Sequence, residues 1–252
     1  MELSIQVYFI VCPLVFLAGL VDSIAGGGGL IALPAYLMAG ISPHFALGTN
    51  KLSSLAGTII ASFRYYKNKF VDIFLCLPSI PVALIGSALG SSLALLVDEQ
   101  IIRWVILLII PIAAFYVFRK KSLDINGSPL SRPKTIAYSV IISFFMGAYD
   151  GFSGPGTGTF LILLYNGIAK IDVRTASGNA KLVNLASGLS ALILFLVNGR
   201  VLIPLGFSAA LFNMLGAYIG SGLVINKGTK IIRYTIFIIL TLIFIKMVWD
   251  II

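Results

Sequence analysis

The sequence predicts an all-α, polytopic membrane protein that consists of two repeated halves. Hydrophobic residues make up 59% of the 252 positions and charged residues only 11%, whereas about a quarter of the residues in a soluble domain are charged. The apolar residues come in long runs, without the alternation of apolar and polar positions that an outer-membrane barrel needs. A segment with a glycine cluster and a lysine also occurs twice, which indicates an internal repeat.

The apolar runs, taken in chain order, define the predicted helices. A full crossing takes about 20 residues, so the runs 29–39 and 158–169 are too short to cross a membrane alone. A single helix over 5–39 would be about 52 Å long at 1.5 Å per residue, which is too long for one crossing. We therefore predict a helix break or re-entrant hairpin at each glycine cluster, where irregular backbone must face protein or a water-filled cavity. The remaining runs are 3–21, 51–63, 71–96, 101–118, 135–148, 181–197, 201–225 and 231–249.

The two membrane repeats are predicted to span 1–118 and 135–252, joined by a cytoplasmic linker at 119–134. Asp22 matches Asp150 at an offset of 128, and later positions match at an offset of 130. If each broken hairpin returns to its own side, each half crosses an odd number of times, so we predict inverted halves. Two glycine pairs among the later matches, Gly86 with Gly90 and Gly216 with Gly220, have a four-residue spacing of small residues, which favours helix packing. The later matches are Gly86, Gly90, Ser91 and Leu93 with Gly216, Gly220, Ser221 and Leu223.

The distribution of basic residues favours the inverted arrangement. The net charge is +9, and eleven of the 18 basic residues fall in three short loops, a pattern typical of cytoplasmic loops. Inverted halves place these loops on one side, with the loop 97–100 and both termini outside. No nucleic-acid partner is expected, because no soluble basic domain is present to hold one. Met1-Glu2 provides no basic n-region, so we expect the N-terminus to be retained. The loop residues are Arg64, Lys67 and Lys69, then Arg119, Lys120, Lys121, Arg132 and Lys134, then Lys227, Lys230 and Arg233.

Two lysines lie in matching positions within the apolar sequence. Lys51 follows Asn50 directly, Lys181 follows Asn179 after one residue, and each opens a predicted apolar helix. An ammonium at the bilayer centre costs about 2.5–3.5 kcal/mol, so such residues need a function or a partner. A helix N-terminus and a lysine together favour an anion, and half-helix ends form the midplane sites of inverted-repeat transporters. We predict a positively charged anion site; the alternative is that both lysines snorkel to the interface.

The glycine clusters and their neighbours complete the predicted substrate site. Glycine lets backbone approach a ligand or another helix closely, so the clusters either bind substrate or act as packing points. Thr157 and Thr159 could add hydroxyl donors in the second half, and Asn184 lies where it could face the cavity, with Ser54 as its smaller counterpart. Asp22 and Asp150 precede the breaks and either couple transport to protons or act structurally, by capping backbone or pairing with a lysine. The cluster residues are Gly26, Gly27, Gly28 and Gly29, then Gly154, Gly156 and Gly158.

The sequence does not indicate other chemistry. Cys12 and Cys76 lie inside apolar runs without a CxxC motif, so neither a disulfide nor a metal site is expected. His44 has no repeated partner and is predicted to lie in a loop. No HExxH, GxSxG or ATP-binding motif is present. We therefore expect no enzyme activity, no cofactor, no metal and no direct ATP hydrolysis.

The two repeated segments together resemble the sulfite exporter TauE/SafE family, also called the TSUP permeases. The first reads GGGGLIALPAYLMAGISPHFALGTNKLSSLAG, and the second reads GAYDGFSGPGTGTFLILLYNGIAKIDVRTASGNAKLVNLAS. The resemblance covers nearly the whole chain. Pro155, inside the second glycine cluster, departs from strict symmetry between the halves. The family motif falls on Gly26 to Gly29, Pro34, Thr49, Asn50 and Lys51, then on Gly154, Gly156, Gly158, Gly178, Asn179 and Lys181.

The resemblance implies two repeated halves with seven or eight spanning helices, and movement of anions, mostly outward. Sulfite, sulfonates and other organic anions are the substrates it suggests. We expect a multi-pass secondary transporter in the cell membrane, that is, a bacterial inner or plasma membrane. Its partners would be a small anionic substrate and the lipid bilayer, with the chain a monomer or a homo-oligomer. An anion channel, or a proton-coupled anion uptake carrier with the same site, remains the alternative.

Overall fold

The computed structural model describes residues 4–101, 104, 130–228, 230–232 and 234–235. Most of the predicted runs 101–118 and 231–249, and most of the linker 119–134, lie outside the described residues. In the described part of the chain, helices of ten residues or more are numbered here in order. They are α1 (Ile5–Ala25), α2 (Gly29–Met38), α3 (Pro43–Lys67), α4 (Ile73–Leu96), α5 (Arg132–Phe152), α6 (Thr157–Gly167), α7 (Val173–Val197) and α8 (Ile203–Lys227).

The prediction of a polytopic helical protein is confirmed. Five helices (α1, α4, α5, α7 and α8) are long and apolar enough to cross a membrane. Large apolar side chains such as Phe9, Leu96 and Phe145 are exposed on the outside of the bundle. Contiguous exposed apolar surface is what a protein presents to lipid, so the chain is a multi-pass membrane protein.

Each glycine cluster coincides with a break between two helices. Helix α1 ends where Gly26 adopts a left-handed conformation with φ +79°. In the second half, Gly154 (φ +88°) and Gly156 (φ +78°) flank Pro155 between α5 and α6. Side chains rarely tolerate positive φ, whereas glycine adopts it freely. The clusters therefore end one helix, and a short helix, α2 or α6, starts directly after each of them.

The two breaks contact each other directly. A Cβ on Gly158 would lie 2.6 Å from the Gly26 Cα, so neither position has room for a side chain. The Thr159 N–H donates to the Gly26 carbonyl oxygen at 3.3 Å, and its hydroxyl donates to the Ala25 carbonyl oxygen at 2.7 Å. The meeting point of the two halves is therefore built from backbone at van der Waals distance.

Glycines on α4 and α8 pack against α5 and α1, in each case the first described helix of the other half. A Cβ on Gly86 would overlap the Phe144 carbonyl oxygen, and one on Gly216 would overlap the Phe16 carbonyl oxygen. These glycines are repeat counterparts, and so are the two phenylalanines. The small residues at this spacing thus have the packing role expected for them.

The order of contacts along α3 and α7 shows that these two helices are antiparallel. Gly48, early in α3, packs so closely against the Arg200 carbonyl oxygen, just beyond the end of α7, that a Cβ on Gly48 would overlap it. Leu55, near the middle of α3, approaches Gly188, near the middle of α7. An inverted repeat requires this relationship between matching helices. The orientation of the halves in a membrane and the boundaries 1–118 and 135–252 stay predictions, although α5 begins at Arg132, inside the predicted linker.

Candidate functional site

A small cavity lies where the two helix breaks meet. Its volume is about 30 Å³, which is room for about two water molecules. It is lined by residues from both halves, and the short helices α2 and α6 begin beside it. Ten predicted site residues line it: Asp22, Gly26, Gly28, Gly29, Asn50, Lys51, Asp150, Gly154, Gly158 and Asn184.

The lysines do not open their helices, and that prediction is wrong. Lys51 lies more than two turns inside α3, which begins at Pro43, and Lys181 lies equally far inside α7. Proline is favoured in the first turn, because its missing N–H is not needed there. In α7, the Asp172 carboxylate accepts the N–H groups of Arg174 and Thr175, at 3.1 and 3.0 Å, as a helix cap does. The N-termini beside the cavity are instead those of α2 and α6.

Lys51 forms an ion pair with the other half of the chain. Its Nζ lies 2.8 Å from Asp150 Oδ1 on α5 and donates to the Asp150 carbonyl oxygen at 2.6 Å. The Ser187 hydroxyl, on α7, donates to the other carboxylate oxygen, Oδ2, at 2.8 Å. Lys51 is 5% exposed, so its ammonium is buried and does not snorkel to an interface.

Lys181 forms the matching pair, with the lysine now in the second half and the aspartate in the first. Its Nζ lies 2.8 Å from Asp22 Oδ2 on α1 and also donates to the Asp22 carbonyl oxygen. The other carboxylate oxygen, Oδ1, accepts the Gly28 N–H at 3.3 Å. Lys181 is 0% exposed and does not line the cavity. Each aspartate therefore adopts the lysine-pairing contact that the sequence left open as one of its structural roles.

The two ion pairs remove the net positive charge that was expected for the site. The formal charges of two ionised lysines and two ionised aspartates sum to zero, whereas the sequence predicts a positively charged site. Burial makes each pair strong but also costly to separate. An anion can use a lysine here only if that lysine's aspartate is neutralised or moves away.

Unpaired amide groups mark the cavity as a place for a polar ligand. The Oδ1 atoms of Asn50 and Asn184 are buried and have no hydrogen-bond partner among the described residues. Leaving such a group unsatisfied costs about 1–3 kcal/mol. An amide can also turn to present its NH2 group, so these side chains can donate to an anion. The cavity therefore provides polar contacts that the protein itself does not use.

Five residues that line the cavity were not predicted from the sequence as site residues. Ser54 was noted only as the counterpart of Asn184, and Asn213 has no repeated partner. The Nδ2 group of Asn213 donates to the Val15 carbonyl oxygen at 3.3 Å. The signal that could have found Ser54 and Thr58 is their helical spacing from Lys51. The five residues are Ala18, Ala32, Ser54, Thr58 and Asn213.

Six predicted site residues do not line the cavity. Thr49 Oγ1 accepts the Leu202 N–H at 3.0 Å, and Asn179 Oδ1 accepts the Asp72 N–H at 2.9 Å. Thr49 and Asn179 therefore each hydrogen-bond to the residue that immediately precedes a helix of the other half, α8 and α4 respectively. Thr49 and Asn179 are repeat counterparts at an offset of 130, so Asn50 and Asn179 are not equivalent. The six are Thr49, Gly27, Gly156, Thr157, Asn179 and Lys181.

His44 is buried in α3, so its predicted loop position is wrong. Its Nδ1 lies 3.2 Å from Glu99 Oε1, and its Nε2 lies 3.0 Å from the Ala94 carbonyl oxygen. It therefore ties the start of α3 to the end of α4. Cys12 and Cys76 are buried free thiols, and no cluster of metal-ligating side chains occurs among the described residues.

A bundle of membrane-spanning helices around a polar cavity shared by two halves is typical of multi-pass membrane transporters. The chain belongs to the sulfite exporter TauE/SafE family, whose profile matches residues 11–247. It is 35% identical to a probable membrane transporter protein of Haemophilus influenzae, over 99% of this chain and 98% of that protein.

Two further relatives carry similar names. The probable membrane transporter protein YfcA of Escherichia coli is 34% identical over 93% of this chain and 87% of its own length. The probable membrane transporter protein ORF9 of a Sinorhizobium species is 35% identical over 93% of this chain and 90% of its own length. No solved structure matches the chain. The protein is therefore a membrane transporter.

Proposed function

We propose that this transporter is a secondary carrier of small anions in the cytoplasmic membrane, and that it works mainly in export. Sulfite, sulfonates and other small organic anions are the proposed substrates. The observation that carries the proposal is the cavity between the two halves, where Lys51 and the unpaired amide of Asn50 lie together. The family name supports a sulfur oxyanion as the first candidate.

The anion would be held by a lysine, amide groups and helix N-termini. Lys51 supplies the formal charge, and Asn50 and Asn184 supply N–H donors. Gly29 and Gly158 lie in the first turns of α2 and α6 beside the cavity. A helix N-terminus presents unpaired N–H groups and the positive end of the helix dipole, both of which favour an anion.

The cavity has to enlarge for a substrate to bind. A volume of about 30 Å³ holds about two waters, whereas sulfite has four non-hydrogen atoms. Because Lys51 comes from the first half and Asp150 from the second, separating this pair would move the halves relative to each other. Rocking of the halves around a shared central site is the mechanism of alternating access in inverted-repeat transporters.

An anion channel with the same site is the alternative of another mechanistic class. A carrier accumulates substrate against its gradient when coupled to a second ion and exchanges substrate across the membrane, whereas a channel only dissipates a gradient. We do not propose an enzyme, because the sequence offers no catalytic motif.

Flux assays on the purified protein in liposomes test this proposal. We expect saturable exchange of at least one anion among sulfite, thiosulfate, methanesulfonate and acetate. Lys51→Met should abolish that flux, whereas Lys69→Met, a change in the α3–α4 connection outside the cavity, should preserve it. Absence of flux for every anion, or unaltered flux in Lys51→Met, would contradict the proposal.

A further inference from the structure

The two lysine–aspartate pairs are repeat counterparts, but their surroundings differ. Lys51 and Asp150 both line the cavity, whereas Lys181 lies behind Asp22 and is 0% exposed. Ser187 donates to Asp150, but its counterpart at an offset of 130 is Gly57. At Gly57 the space for a side chain is occupied by Asn213 Oδ1, so Asp22 receives no matching hydroxyl.

Charge balance sets a condition on anion binding to this cavity. With all four groups ionised, the formal charge is zero, so a monovalent anion would leave one uncompensated negative charge in a buried site. An isolated buried charge is very costly. One proton bound at the site removes this cost, because the lysine then pairs with the anion and the aspartate is neutral.

We propose that Asp150 is the group that takes up this proton, so that one proton moves together with each monovalent anion. This inference rests on the proposed anion transport. Protonation of Asp150 releases Lys51, which then binds the anion. The proton comes from water on one side and is released on the other, together with the anion, so export is driven by the outward gradient of the anion and is opposed by an acidic exterior. The loaded and empty sites then carry the same net charge.

Hydrogen bonding distinguishes Asp150 from Asp22 as the proton acceptor. The Ser187 hydroxyl donates to Asp150 Oδ2 at 2.8 Å, and the Asn184 carbonyl oxygen lies 3.2 Å from the same hydroxyl. When Asp150 is a carboxylic acid, Ser187 can turn to donate to Asn184 and accept the acid proton, because a hydroxyl is both donor and acceptor. Both protonation states of Asp150 are therefore hydrogen-bonded.

Asp22 has no such alternative. Its Oδ1 accepts a backbone N–H from Gly28, which cannot reverse its direction, and its Oδ2 pairs with Lys181. Neutral Asp22 would leave Lys181 as a buried, unpaired cation with no access to the cavity. The contacts of the Lys181–Asp22 pair therefore provide no place for an added proton, and this pair acts structurally by linking α7 to α1.

Few charged groups face Asp150 from the helices packed around it. Among the described residues, those in the cavity are Lys51 on α3 and Asp22 on α1, and Lys181 on α7 lies behind Asp22. The neighbouring Tyr149 hydroxyl donates to the Pro155 carbonyl oxygen at 2.6 Å, and so is engaged elsewhere. The protonation of Asp150 is thus governed by Lys51, Ser187 and the arriving anion.

Proton coupling can be measured in liposomes that contain a pH-sensitive dye. The probes are sulfite and methanesulfonate, the latter a permanently monovalent anion. For the wild type, a pH gradient should drive accumulation of the probe, and the dye should report proton movement in the same direction. In Asp150→Asn, accumulation driven by the gradient should be lost, because an amide cannot take up and release the coupled proton.

Ser187→Ala keeps every charge and provides a second readout. Losing a donor to the carboxylate destabilises the ionised form more than the neutral acid, so the pH of half-maximal flux should rise. A purely structural role would lower the flux without moving this pH. Flux without proton movement in the wild type, or gradient-driven accumulation in Asp150→Asn, would overturn the inference but leave anion transport standing. Absence of any anion flux in the wild type would overturn both.

Discussion

The Lys51 ammonium lies 2.8 Å from Asp150 Oδ1, so a charge from the first glycine–lysine segment is neutralised by an acid from the second. The reciprocal pair joins Lys181 to Asp22 at the same distance. Such exchanged pairs link the halves by charge at the point where the helix breaks meet. Any movement that opens the central cavity through Lys51 has to replace this contact with another.

Removing the lysine of the Lys181–Asp22 pair should destabilise the protein strongly. Lys181→Met leaves the half-buried Asp22 without its cation, and breaking a buried pair by removing one partner costs about 3–5 kcal/mol. The double variant Lys181→Met/Asp22→Asn removes both charges and should recover part of that loss. Thermal unfolding in detergent measures both. If the single variant were as stable as the wild type, the Lys181–Asp22 pair would not stabilise the fold.

Two glycines in helix interiors should respond in opposite ways to alanine. At Gly86 a methyl group would overlap the Phe144 carbonyl oxygen, whereas at Gly188 the nearest atom is a Leu55 methyl carbon at 3.4 Å. Gly86→Ala should cost about 1–3 kcal/mol through overpacking. Gly188→Ala should be neutral or stabilising by up to about 1 kcal/mol, because alanine favours the helix. Equal melting temperatures for the two variants would contradict the close packing of α4 on α5.

Asn179 and Thr49 should support stability rather than anion binding. Each accepts one backbone N–H before a helix of the other half. Asn179→Ala and Thr49→Val should each cost about 1 kcal/mol, the usual contribution of such a hydrogen bond. The anion concentration at half-maximal flux should not change. A large rise in that concentration, with unaltered thermal stability, would place these residues in the binding site instead.

The fold class followed from the sequence because composition and helix length are strong constraints in a bilayer. The start of α3 did not, because the run from Pro43 to Asn50 contains proline, histidine, glycine, threonine and asparagine, which interrupt the apolar pattern and suggest a loop. Ser42 before α3, Pro43 at its first position and Asp172 before α7 were the helix-start signals that could have corrected this. Similarly, Asn179 was matched to Asn50 by residue type, although its repeat register matches Thr49.

The charge pairing could not be read from spacing alone. Lys51 and Asp150 are 99 residues apart, and Lys181 and Asp22 are 159 apart. Matching positions within the repeat indicated that lysines and aspartates share a site. They did not tell whether an acid pairs within its own half or across to the other, because that depends on how the halves interlock. The pairing decides the net charge of the site and so could only come from the structure.

The central claim is that an anion binds beside Lys51 in the cavity between the halves. Crystals soaked with selenite, the selenium analogue of sulfite, test it directly, because anomalous scattering locates selenium without reference to the protein. We predict an anomalous peak within hydrogen-bonding distance of Lys51 Nζ and Asn50, and its loss in Lys51→Met crystals. Peaks confined to the basic loops, or a central peak that survives in Lys51→Met, would contradict the claim.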